Sequence, residues 1–195
     1  WSAVLALGLP TPPVAGGALV WHAHELLLGF GLAAITGFVL TAVPEFTKTA
    51  GASSRTAVAL VALWLLGRAG FWLSGVAGLP ALAVAGAAQL ALLGTLIALL
   101  LPALRTTAGQ RHRAFGWAIA CLALLVAGFY VDALRGAYPM RWLHAVLGLL
   151  MVLIVIALSR ISMRIVNRAI DDAGTGAAPY LARPPRRNLV VLSVA

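Results

Sequence analysis

The chain of 195 residues is 62% apolar and 10% charged, with a mean hydropathy of +1.00, which is more apolar surface than a water-soluble domain of this size can hide. Its net charge of +9 would point to nucleic acid in a soluble protein. In a membrane protein it is absorbed by topology, so nucleic acid is excluded as a partner. One cysteine, Cys121, excludes an intrachain disulfide and any Cys-rich metal or iron–sulfur centre.

The apolar runs are continuous in Leu, Ala, Val and Gly and do not alternate with polar residues. Helices that satisfy their own backbone groups in lipid are therefore expected, and not a barrel. The fold class that follows is all-α, a polytopic transmembrane helix bundle with five complete spans plus two partial ones, forming a single transmembrane domain over residues 1–195.

Trp1 to Gly8 is too short to span and reads as the exit of a helix whose beginning is absent. Pro10, Pro12, Pro13 and Gly16-Gly17 break it into a loop. Span one runs from about Leu19 to Pro44. Its Gly29, Gly31, Ala33, Ala34 and Gly37 allow close helix contact in lipid. After a polar connection from Lys48 to Thr56, span two covers about Ala57 to Leu73 and carries Arg68. Gly75 to Gly78 turn the chain into Pro80, which is well placed as a first helical residue. Span three, Pro80 to Leu104, has one strongly polar member, Gln89, expected to hydrogen-bond between helices. A basic loop from Arg105 to Arg113 leads to span four, about Phe115 to Val131, in which Cys121 is expected to be a small buried hydrophobe. Asp132 to Pro139 is a turn. Span five starts at Met140, reaches Ser159 and continues as a basic helix through Arg160, Arg164 and Arg168. A linker rich in Gly, Pro and Arg, Gly174 to Arg187, precedes a further apolar run that stops at Ala195, so the sequence reads as part of a longer protein.

Eleven of the fourteen basic residues fall on one set of alternate loops: Lys48, Arg55, Arg105, Arg111, Arg113, Arg160, Arg164, Arg168, Arg183, Arg186 and Arg187. The positive-inside bias assigns that side to the cytoplasm. His22, His24, Glu25, Arg68, Tyr130, Asp132 and His144 then fall, from four helices, in the outer leaflet or its interface, with His112 on the basic side. Ionisable groups inside a membrane point to function, and imidazoles near a carboxylate point to a metal or haem site. On a regular helix His22 and His24 face about 200° apart, so they serve two centres or only one of them is helical. His22 and Glu25 share a face, and Met140 and His144 form another i, i+4 pair of the type that suits copper or haem. Arg68 is placed to neutralise haem propionates or to pair with Glu25. Against this stand bland readings: interfacial anchors for the His and Trp residues, packing for Met140, and a solvated surface for the basic run.

The stretch WHAHELLLGFGLAAITGFVLTAVPEFT, Trp21 to Thr47, resembles the signature segment of the NnrS family, bacterial inner-membrane proteins of the nitric oxide response described as containing haem and copper. The order that follows is similar: LWLLGRAG (Leu63 to Gly70), a hydrophobic hairpin, a basic loop and a span opening with Arg141 and His144. Members are about twice this length, so the resemblance covers the first half. It implies a multi-pass location in the bacterial inner membrane, haem and copper as cofactors and nitric oxide as a ligand. It also makes His22 and His24 the first candidates for ligands, with His144 as the second rank. Glu25 and Arg68 complete the candidate set; no catalytic residue is assigned. The lipid bilayer is a partner, and a second copy or a respiratory complex is a candidate one. The readings of other classes are a transporter whose polar path is lined by Glu25, Arg68, Gln89 and Asp132, and a structural subunit without its own metal.

Overall fold

The computed structural model describes residues 13–47, 50–105 and 113–174. All regular structure among them is helical. The first membrane helix is built in three pieces: α1 (Gly17–His24), a π-helical stretch (Glu25–Gly31) and α2 (Leu32–Thr47). Then come α3 (Ser54–Arg105), α4 (Arg113–Leu134) and α5 (Met140–Asp172). The two expected partial spans and His112 lie outside the described residues.

Among the described residues, four helical stretches are long and apolar enough to cross a membrane: Gly17–Ala42, Ser54–Pro102, Arg113–Leu134 and Met140–Asp172. The second of these accounts for two expected spans. At ~1.5 Å per residue a straight helix of that length would be more than twice the ~30 Å of a hydrocarbon core. It is not straight: Gly78 has φ 66 and ψ −146, far outside the helical region, in a conformation that essentially only glycine adopts. The two arms fold back on each other there. A Cβ on Gly70 would stand 2.9 Å from the Ala81 carbonyl oxygen and 3.0 Å from the Ala85 nitrogen, and one on Gly67 would stand 2.8 Å from Gln89 Cγ. The arms are thus antiparallel and close enough that no side chain fits between them at Gly70, the small-residue contact that drives association in lipid.

Contacts divide the chain into two units, residues 1–150 and 151–195. In the first, α3 packs on α4 and on α2. Its core is a stack of Leu28, Leu32, Leu60, Phe71, Leu92, Leu93, Leu96, Ile119, Leu122 and Phe129, all under 2% exposed. Leu26, Phe30, Leu65, Leu66 and Leu124 face outward, as expected of surfaces in contact with acyl chains. Cys121 is also exposed. This corrects the expectation that it would be buried: the inward face of α4 at that level is taken by Ile119 and Leu122. In the second unit the described part of α5 exposes Met151, Ile154, Val155, Leu158 and Ile165.

The turn between α4 and α5 is held by one carboxylate. Asp132 Oδ2 accepts from Arg141 Nε (3.0 Å), Arg141 Nη2 (2.7 Å) and Trp142 Nε1 (2.7 Å). The Asp132 carbonyl accepts the Ala137 N–H at 2.9 Å. Gly128, one helical turn before Asp132, leaves the space that the Trp142 ring occupies; a Cβ there would stand 2.6 Å from it.

Replacing Gly78 by Val forces a β-branched residue into the glycine-only region and is expected to cost about 1–3 kcal/mol. Val76→Ala, at an exposed position two residues away, stays within about 0.5 kcal/mol. Reversible unfolding in mixed micelles with increasing SDS measures both; equal midpoints would contradict the hairpin.

Candidate functional site

His24 is the only histidine among the described residues that is fully buried. It sits at the end of α1, where the backbone changes to π-helical hydrogen bonding. That widened turn is the local feature that separates the site from a regular amphipathic helix. π-Helical stretches are rare and tend to mark functional positions. Here it buries Leu27, Leu28 and Gly29 in succession, and the Trp64 indole of the first α3 arm donates to the Gly29 carbonyl at 2.8 Å.

Each nitrogen of the His24 ring has partners. Nδ1 is 3.3 Å from Glu25 Oε1. Nε2 is 3.1 Å from the Tyr130 hydroxyl of α4 and 3.2 Å from Gln89 Nε2 of the second α3 arm. A carboxylate accepts and an amide NH2 donates. One tautomer satisfies both neighbours: Nδ1 carries the proton and gives it to Glu25, and Nε2 keeps its lone pair and accepts. The ring is stacked on Phe71 at 3.7 Å and 16°, with Phe129 at 5.6 Å. Phe71 covers one face of the ring, and Phe129, 6.0 Å from Phe71, stands toward its edge.

Glu25 continues the network. Its Oε2 accepts from Arg68 Nε at 2.8 Å and also from Arg68 Nη2, a one-oxygen fork that ties the first membrane helix to the first α3 arm. The guanidinium also lies over the Trp64 ring, 4.8 Å from its centroid, and a Cβ on Gly29 would stand 3.4 Å from Glu25 Oε2. That is ordinary contact, so the pair packs against Gly29 without depending on it. Gly86 is where room is needed: the Tyr130 ring lies 2.9 Å from where a Gly86 Cβ would be.

His24 is seven residues into its helix and Arg68 ten residues from the hairpin break. At ~1.5 Å per residue this places the cluster roughly 10–15 Å along the helices from those two points. Gln89 bridges helices as its sequence context leads one to expect. Its second polar atom, Oε1, is buried and has no hydrogen-bond partner among the described residues.

The expected constellation is only partly brought together. Arg68 is on Glu25. Glu25 engages His24 and Arg68, whereas spacing pointed to His22. The side chains of His22 and His144 are exposed, and Met140 is buried. Asp132 belongs to the separate α4–α5 turn, so the four residues of the transporter reading do not share one path. No group of three His, Cys, Asp or Glu gathers around a metal position among the described residues. Phe71 was missed by sequence reasoning; its neighbourhood with Arg68 on one helix, at i and i+3, was the available signal.

A family model described as NnrS protein matches residues 1–195. No curated protein and no solved structure matches the chain.

The Glu25–Arg68 pair sets an expectation for stability. Either single change, Glu25→Gln or Arg68→Gln, leaves a charge in a largely apolar surround. The cost is on the order of 1–3 kcal/mol, reduced from that of a fully buried pair because the guanidinium is partly exposed. The double variant is expected to lose less than the sum of the two, and a double-mutant cycle in the same SDS titration reads the coupling. Strict additivity would mean the two side chains do not interact.

Proposed function

The chain belongs to the NnrS family, matching it from residue 1 to residue 195, and on that footing we propose that this multi-pass membrane protein of the nitric oxide response works through a metal centre at His24. The observation that carries the proposal is the environment of a single imidazole. His24 is fully buried, its Nδ1 proton is held by a carboxylate, and its Nε2 lone pair faces two further side chains.

A carboxylate on Nδ1 is the outer-shell arrangement that fixes the tautomer of metal-binding histidines and makes the other nitrogen a better donor. Around Nε2 stand a phenol oxygen at 3.1 Å and a primary amide at 3.2 Å. The amide's unpartnered Oε1 becomes a third donor atom once the amide is turned about, an assignment that side-chain shape alone does not distinguish. A nitrogen–oxygen set of this kind suits copper. It does not suit a haem: Tyr130 at 3.1 Å and Gln89 at 3.2 Å occupy the space in front of Nε2 where a porphyrin plane would have to lie. Haem ligation by this chain would fall to His22 and His144, whose side chains are exposed.

His24, Tyr130 and Gln89 would hold the copper, which would supply a redox-active centre for binding nitric oxide or passing electrons. The chain's own residues do the rest. Glu25 orients the imidazole. Arg68 balances the carboxylate charge and leaves it fixed by two donors. Phe71 and Phe129 exclude water. Nitric oxide, small and uncharged, enters through the apolar surround without a channel.

Metal analysis and electron paramagnetic resonance of the purified protein test this. His24→Gln is expected to abolish the copper signal, while His22→Ala and His144→Ala leave it and lower the haem band of reduced-minus-oxidised spectra. Full copper in the His24 variant would remove the assignment.

A further inference from the structure

We propose that the cleft between the second arm of α3 and the start of α4 is a binding site for an anionic phospholipid, its phosphate on Arg105 and Arg113 and one acyl chain along Leu100, Leu101, Leu104 and Trp117. The cleft has a volume of about 310 Å³ and opens at the basic end of the first unit. That is at the lower end of the range for small-molecule pockets, ~300–1,000 Å³, which is enough for part of a chain but not for a whole cofactor.

Charge decides what kind of molecule it takes. No Asp or Glu occurs between Glu45 and Asp132, and Asp132, the one carboxylate in the two helices that frame the cleft, stands at the other end of α4, held by Arg141 and Trp142. Among the described residues neither of the two arginines at the rim makes an ion pair. The counter-anion must come from outside the framing helices, and a planar guanidinium pair suits a phosphate. Clusters of basic residues beside membrane helices on the basic side are the sequence form of anionic-lipid recognition.

The wall decides that the anion carries a chain. Apart from the arginines, every side chain in the cleft is apolar. Leu100 forms its floor at 2% exposure, and Trp117 stands at the edge at 72% exposure, the position that indole rings take between headgroups and hydrocarbon. Leu104 packs directly on Gly116, where a Cβ would run into its Cδ1, and so lines the wall between the two helices. A free phosphate has no use for this wall. A second copy of the chain, with five carboxylates in all, brings little negative charge to meet the arginines.

Native mass spectrometry of the purified protein in neutral detergent tests the proposal. The ligands are phosphatidylglycerol, phosphatidylcholine with the same acyl chains, and inorganic phosphate. Phosphatidylglycerol is expected to bind on the order of tenfold more tightly than phosphatidylcholine, and phosphate alone not to displace it. The double variant R105Q/R113Q loses that preference, while R55Q/R168Q, with the same change in net charge elsewhere, keeps it. Ala120→Phe, which fills the cleft, weakens binding of both lipids. Equal binding of the two lipids by the unmodified protein, loss of preference in the control pair, or displacement by phosphate would each overturn the assignment. A dimer that forms in place of lipid adducts and is broken by Ala120→Phe would do so as well.

Discussion

In hydrocarbon, a polar group without a partner costs several kcal/mol, on the order of what holds a domain together. Every buried polar side chain in this protein is therefore a commitment about which helices must meet. His24 makes the largest one. Its two ring nitrogens reach Glu25 beside it, Gln89 on the second α3 arm and Tyr130 on α4, and Glu25 passes the tie on to Arg68 on the first arm. Four helical segments are thereby placed in register around one imidazole. Leucine packing alone, which is as favourable with lipid as with another helix, would leave their sliding positions poorly defined.

Close approach is the other half of that arrangement. Gln89 and Tyr130 reach the histidine because Gly67 and Gly86 let them lie against the neighbouring backbone. The small residues and the polar ones thus form a single device in which the first set the distance and the second fix the register. The Asp132 turn repeats the pattern on a smaller scale, with Gly128 making room for the tryptophan whose indole the carboxylate receives. The same division decides what each histidine meets: His24 is enclosed, whereas the side chains of His22 and His144 are exposed.

Much of the architecture is readable in the sequence because hydropathy and glycine-proline punctuation report on single helices. Span one, the break between spans two and three and the long last helix are all of this type; the basic loop from Arg105 to Arg113 lies largely outside the described residues. The pairing of Arg68 with Glu25 was readable as one of two options, since a membrane-buried cation has few uses. What the sequence hides depends on other elements or on backbone geometry. Tyr130 lies 106 positions from His24, and nothing in either segment names the other. Glu25 was read as facing His22 from ideal helical spacing, and in the structure it engages His24, at the point where that spacing ends. Cys121 looked buried because its neighbours are apolar, but in a bilayer apolar neighbours are as common on the lipid side.

The π-helical stretch from Glu25 to Gly31 also bears on how the chain tolerates insertion and deletion. A π turn holds one residue more than the α-helical turn it replaces. Removing one residue from this stretch would let it close into ordinary α-helix, with no gap in the backbone and little change in hydropathy. The helix on either side would keep nearly its present facing, because that extra residue is what the widened turn absorbs. The same deletion from the regular helix of α2, between the π stretch and Val39, has no such slack: it would turn one part by about 100° against the other and carry His24 off Tyr130 while Val39 kept its place in the core. The first membrane helix thus has one place where a residue can be lost with the imidazole still aimed at its partners.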